Sequence, residues 1–201
     1  MCVENGKINE IVKMRKDAAL RGEPVLREAS FALLLKTISE RKPKKILEIG
    51  TNEGLSSSAM LLISPEAKLS GIEIDEKKIA TARSNYKKFG VCDRAKIFCG
   101  DACDIIPALS GMYDFIFLDG PKGHYYRYLP DLLRVLSVGG VLFADNVLFR
   151  GYVEGTVKTP HRFATTKHSM ENFIGEITTR GDLKTVIYKL EDGVSITEKL
   201  R

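Results

Sequence analysis

The sequence predicts an α/β protein built on one largely parallel sheet that finishes in an antiparallel hairpin. Three observations carry that expectation. Short apolar runs recur along the chain, each closing on a glycine or an acid, with helix-spaced segments between them. Runs of this length and composition read as strands buried on both faces, the habit of parallel sheets. The clearest unit is Tyr113–Gly151, where Phe115–Leu118 and Val141–Ala144 flank a tyrosine-rich segment that suits a helix. At the end of the chain, Thr185–Leu190 and Val194–Glu198 are joined across Asp192-Gly193. Two β-rich runs around Asp-Gly are a strong short-range hairpin signal.

The elements follow in order. Lys7–Leu20 predicts a first helix with Ile8, Ile11, Val12 and Ala19 on one face and Lys13, Arg15 and Lys16 elsewhere. After a break at Gly22-Glu23-Pro24, Arg27–Ser39 carries Phe31, Leu34, Leu35 and Ile38 at helical spacing. These helices pack on the sheet or on a partner subunit; a basic first helix meeting a polyanion is the other reading. Ile46–Ile49 is the first strand, Leu55–Ile63 a helix of small residues, and Leu69–Asp75 the second strand. Glu76–Phe89 is amphipathic, with Ile79, Ala82, Tyr86 and Phe89 on its apolar side. Ala95–Cys99 is a third strand, followed by a helix towards Pro107. Residues 152–169 show no periodicity and are basic, so a loop is expected there, entering a helix near Thr165–Thr179.

At 201 residues, 44% hydrophobic and 28% charged, the chain suits one domain: N-terminal helices over 1–40 and a sheet core over 44–201. The N-terminus is charged throughout, unlike a signal peptide. No apolar run approaches the roughly 20 residues of a membrane span. Four cysteines (Cys2, Cys92, Cys99, Cys103) without a C-x-x-C pair suit reduced thiols in the cytoplasm. A zinc site at Cys99 and Cys103 lacks a second ligand pair. The net charge of +5 fits an anionic partner such as RNA, although many basic proteins bind none.

Candidate site residues come from the strand ends. Parallel strands joined by a helix end on the same edge of the sheet, the edge where open α/β sheets bind ligands. Asp119 and Asp145 follow the fourth and fifth runs, and Asn146 follows Asp145. Three oxygen donors with no nearby cysteine favour Mg²⁺ over Zn²⁺. Read singly, each acid is equally a cap or turn residue. The first strand leads into Gly50-Thr51-Asn52-Glu53-Gly54, which lacks the G-x-G-x-x-G of a dinucleotide site. Glu73, about 20 residues on, is placed to grip ribose hydroxyls. With Asp101 after strand three, and Glu48 placed to repel pyrophosphate, these residues suit a nucleoside without phosphates.

Taken together, ILEIGTNEGLSS, GIEID, GDACDIIPAL, LDGPKGHYYRYLPDLLRVLSVGGVLFADNVLFRG and DGVSI resemble the class I S-adenosylmethionine-dependent O-methyltransferases of the catechol and caffeoyl-CoA type. The short chain and DNVLFRG are most similar to the bacterial tRNA 5-hydroxyuridine methyltransferases. The resemblance implies a Rossmann-like fold, with a seven-stranded, mostly parallel sheet, an antiparallel last strand and helices on both faces. It implies cofactor contacts at Glu48, Gly50, Thr51 and Gly54 near the methionine part, and at Ser56. Glu73 would meet the ribose and Asp101-Ala102 the adenine, and Asp119 is a further cofactor contact. Pro24-Val25-Leu26, with Val25 at its centre, falls where the family closes over the cofactor. Asp119, Asp145 and Asn146 match the family's divalent-cation ligands, and Lys122 aligns with the lysine proposed as general base. Lys122 is otherwise a loop lysine, and His124 is a second proton shuttle or a helix-start residue.

The loop Gly120-Pro121 lacks the family's tryptophan, and the chain contains no tryptophan at all. The basic residues Arg150, Lys158 and Arg162 suit the phosphates of a tRNA anticodon loop, and Tyr125, Tyr126 or Phe149 would stack on a base. The same residues also read as a solvated rim. The expected reaction is Mg²⁺-dependent O-methylation of 5-hydroxyuridine in tRNA, with a small phenol or catechol as the alternative acceptor. A non-catalytic nucleotide-binding module is the reading from another class. A homodimer is usual in the family.

Overall fold

The computed structural model describes residues 2–201, with side chains from Gly6 onward, so the thiol of Cys2 lies outside the described residues. The chain divides into two compact units, Met1–Asp101 and Ala102–Arg201.

The first unit runs α1 (Cys2–Leu20), α2 (Glu28–Arg41), β1 (Lys45–Ile49), α3 (Leu55–Ile63), β2 (Lys68–Glu73), α4 (Glu76–Phe89) and β3 (Ala95–Cys99). Its strands lie in the order β3-β2-β1. Both pairs are parallel, with Ile46 opposite Leu69 and Leu69 opposite Ala95. Ile46, Leu47 and Ile49 are fully buried, as is the Glu48 that stands among them. Asp75 caps α4 by accepting from the backbone of Lys77 and Lys78, and Gly90 ends it in the left-handed conformation. Beta-strand two stops at Glu73, two residues before the expected Asp75, because Asp75 is taken as that cap.

The inward face of α1 differs from the expected one. Ile11, Arg15 and Ala18 are buried, whereas Ala19 is exposed. The Arg15 guanidinium lies 3.6 Å from the centroid of the Phe31 ring and donates to the Leu26 carbonyl. A planar cation over an aromatic face is at home against a core, which a charge-based reading of one helix overlooks.

The second unit runs α5 (Ala102–Ala108), β4 (Tyr113–Leu118), a 3-10 turn (Lys122–His124), α6 (Tyr125–Val135), β5 (Leu136–Asp145), α7 (Ala164–Thr179), β6 (Leu183–Tyr188) and β7 (Val194–Lys199). The order is β4-β5-β7-β6. Strands β4 and β5 are parallel, and β7 runs antiparallel to both β5 and β6. Strand β5 is ten residues long, well beyond the expected Val141–Ala144. Its first half holds exposed Val138 and Gly139, which interrupt the apolar run without interrupting the strand. The hairpin forms, but β6 ends at Tyr188, opposite Val194. Leu190 is drawn into the turn instead, its carbonyl accepting from Gly193 N at 2.7 Å. Among the described residues no helix is long and apolar enough to cross a membrane.

Candidate active site

In the first unit the site is the turn between β1 and α3. Gly50 (φ 89°), Asn52 (φ 48°) and Gly54 (φ 71°) all adopt left-handed backbone conformations there. Glycine does so without steric cost, and asparagine is the residue that most readily follows it. A Cβ on Gly54 would stand 2.9 Å from the Ala82 Cβ, so this glycine also lets the turn sit against α4. Glu73 organises the turn. Its Oε2 accepts from Asn52 N at 2.8 Å, and its Oε1 accepts from Ile74 N at 2.9 Å and Asp75 N at 3.0 Å. Each carboxylate oxygen has two lone-pair directions, so Oε2 keeps capacity for a ligand hydroxyl.

Around that turn, Glu48 is fully buried and accepts from the Ser57 hydroxyl. Burial first, and the charge of Glu48 second, push the Tyr86 phenol well above its usual range. Thr51 Oγ1 and Asn52 Oδ1 are buried without a hydrogen-bond partner, two polar atoms a bound nucleoside cofactor would satisfy. The segment carrying Val25 is tied to the turn, because Asn52 Nδ2 donates to the Pro24 carbonyl at 2.7 Å. Arg21 pairs with Glu53 at 3.0 Å, and Lys78 pairs with Glu23. Val25 and Ser56 are half-buried, and Asp101 is exposed at the unit's last position.

In the second unit Ala102 opens α5 and is buried. The acids stand at the ends of β4 and β5. Asp119 follows Leu118 and accepts from the Lys122 ammonium at 2.8 Å, each side chain about one-fifth exposed. Asp145 is the last residue of β5 and is 2% exposed. Asn146 follows it with φ 58°, a left-handed residue at the point where the strand is released. Hydrogen bonds from Val147 N to Gly193 O and Leu148 N to Asp192 O hold this corner against the hairpin turn. The donor set suits a hard divalent cation, since Asp119 and Asp145 offer carboxylate oxygens and Asn146 an amide oxygen. Among the described residues no group of three or more His, Cys, Asp or Glu side chains could hold a metal ion.

The structure corrects one substrate residue. Tyr125 is fully buried, and its hydroxyl donates to the carbonyls of Leu118 (3.0 Å) and Asp145 (3.2 Å), so it is not available to stack on a base. Burial, then the charges of Asp119 and Asp145, push its phenol well above the ordinary range. Tyr126 is exposed and Phe149 half-buried. Arg150 and Arg162 do converge, both guanidinium groups lying over the ring of Phe163, at 5.5 and 4.8 Å from its centroid. Phe149 and Tyr152 close on the same ring at 5.7 and 5.8 Å. His124 Nδ1 lies 3.2 Å from the Tyr128 hydroxyl and 3.5 Å from the Cys103 sulfur. Sequence reasoning passed over Asn52, Ser57 and Phe163. An asparagine between two glycines was the available signal for the first; nothing in the sequence marks the other two.

The family model described as O-methyltransferase matches residues 7–200. The chain belongs to that O-methyltransferase family. A caffeoyl-CoA O-methyltransferase of Stellaria longipes is 33% identical over 130 residues, covering 61% of this chain and 53% of that one. The chain thus spans about half the length of that relative. A catechol O-methyltransferase of Niastella koreensis is 31% identical over 161 residues, 73% of each chain. Among solved structures, a putative caffeoyl-CoA O-methyltransferase from Staphylococcus aureus superposes with a TM-score of 0.85 at 25% identity, covering 94% of this chain and 91% of that one. An SAH-bound methyltransferase of Podospora anserina gives 0.80 at 26% identity over 98% and 87%. The fold is the seven-stranded, mostly parallel sheet with an antiparallel last strand that the resemblance implies.

Proposed function

We propose that this family member is an S-adenosylmethionine-dependent, divalent-cation-dependent O-methyltransferase. The observation that carries the reading is the pair of strand-end acids, with Lys122 bonded to Asp119 at 2.8 Å and Asn146 turned out of β5. Glu73 would accept the ribose hydroxyls through the capacity left on its carboxylate, and Thr51 and Asn52 would meet the cofactor with their buried oxygens. Asp101-Ala102 would lie beside the adenine and Val25 over the bound cofactor. Asp119, Asp145 and Asn146 would hold the cation. When bound, the sulfonium supplies an electrophilic methyl group, and the cation lowers the acceptor hydroxyl's pKa and fixes its direction. Lys122 Nζ, in its neutral form, would take the acceptor's proton and so become the ammonium that bonds Asp119. The test is transfer of label from methyl-labelled cofactor, lost on EDTA treatment and restored by Mg²⁺.

For the acceptor we infer 5-hydroxyuridine at the wobble position of tRNA. The support is charge. Glu154, the single acid among residues 150–162, is engaged by Lys189 at 2.7 Å, leaving Arg150, Lys158 and Arg162 uncompensated by it. Phosphodiesters are natural partners for such a segment. The names of the relatives favour a second reading, a small phenol or catechol acceptor. Offering hydroxyuridine-bearing tRNA and catechol side by side separates the two; label on catechol and never on tRNA removes the RNA reading. A homodimer acting in the cytoplasm accompanies this proposal, and sedimentation of the purified protein tests its first half.

A further inference from the structure

We propose that Tyr125 is a positioning residue for the cation site: its hydroxyl sets the separation of β4 and β5 where they deliver Asp119 and Asp145. This rests on the cation reading above. The register of β4 against β5 runs up to Leu118 opposite Ala144 and ends there. The acids come immediately afterwards; Asp145 is still paired with Val194 of β7, but the β4–β5 ladder no longer ties it to the end of β4. At that point the Tyr125 hydroxyl donates to Leu118 O at 3.0 Å and to Asp145 O at 3.2 Å. A phenol has one hydrogen, so this is one donor shared between two strands. It ties the carbonyl just before Asp119 to the carbonyl of Asp145 itself.

The ring acts on the same group of residues. It meets Phe173 of α7 edge-on at 5.5 Å, which fixes its plane, and the Lys122 ammonium lies 5.9 Å from its centroid. That ammonium is the one bonded to Asp119. One fully buried side chain therefore touches the support of both acids and the candidate base. A phenylalanine would fill the same space; it would lose the tie between the strand ends and the bond that the same oxygen makes with the Gly120 backbone. Residues that orient metal ligands without touching the metal typically change its affinity by about 10–100-fold when removed.

The experiment titrates the full-length protein with Mn²⁺, read by the paramagnetic resonance of the free ion, in the wild type, Tyr125→Phe and Tyr128→Phe. Tyr128 is the control: it lies on the same helix, is 3% exposed, and its hydroxyl meets His124 Nδ1 at 3.2 Å and the Cys103 sulfur at 3.9 Å. The expected result is a loss of Mn²⁺ affinity of about tenfold in Tyr125→Phe. Tyr128→Phe stays at the wild-type value, and cofactor affinity is unchanged in both. Wild-type Mn²⁺ affinity in Tyr125→Phe overturns the proposal, as does an equal loss in Tyr128→Phe. So does failure of Tyr125→Phe to fold, since the hydroxyl would then hold the unit and not the site. A wild-type protein that takes up no Mn²⁺ overturns the cation reading and this inference together; the other outcomes overturn this inference alone.

Discussion

Glu73 and Asp119 both stand at the carboxyl end of a parallel strand, but they are held by different kinds of partner. The Glu73 carboxylate is fastened by three backbone N–H groups, from Asn52, Ile74 and Asp75. Asp119 is met by a side chain, the Lys122 ammonium. Backbone donors are placed by the fold and cannot swing away, so Glu73 is set before any ligand arrives. A lysine on a flexible stem can exchange its partner, so Asp119 can pass between an ammonium and a metal ion. The difference suits a binding carboxylate in the first unit and a reacting one in the second.

The strongest way to break that contrast is Asp145→Ala. It removes a proposed cation ligand while leaving the Glu73 turn intact. Turnover is expected to fall by about a thousandfold, with cofactor affinity by equilibrium dialysis close to wild type; unchanged turnover would refute the assignment. Lys122→Ala is expected to lower the rate about a hundredfold at neutral pH. The defect should narrow as pH rises and the acceptor ionises unaided, and a pH-independent defect would make Lys122 a structural partner of Asp119 only.

Glu73→Ala sharpens the other side. Losing a carboxylate partner of the ribose is expected to weaken cofactor binding about 10–100-fold, the worth of charge-assisted hydrogen bonds. The maximal rate at saturating cofactor should move less than the affinity; the reverse split would count against a binding role. The smallest effect is in stability against pH. Tyr86 and Tyr125 have their phenols raised above 10.0 in the folded state. A raised pKa contributes stability that is fully present below the unfolded value and is lost as pH climbs above it. Denaturant midpoints should therefore hold steady up to about pH 10 and decline beyond, and Tyr86→Phe should flatten that decline. An identical alkaline slope in the variant would show that Tyr86 does not contribute.

Much of this was legible along the chain. The apolar runs marked the parallel strands, Asp192-Gly193 marked the hairpin, and the acids at strand ends marked the candidate site. These are signals of period and punctuation, and they survive whatever the rest of the chain does. The misread features share a different cause. Arg15 went to the wrong face because its partner, the Phe31 ring, belongs to another helix. Strand β5 was cut short because Gly139 and exposed Val138 carry no hydrophobic pattern, although backbone pairing continues through them. Tyr125 was taken for a surface ring when both acceptors of its hydroxyl lie on strands it is not part of.

What the sequence by itself determined is the order of strands and helices and the residues at the strand ends, since both follow from local chemistry and a fixed period. Which side chains brace those ends was decided by the tertiary structure alone. A hydrogen bond's partner is chosen by distance in space, and neither Tyr125 joining Leu118 to Asp145 nor Asn52 joining Glu73 to Pro24 has any signature in the spacing of the chain.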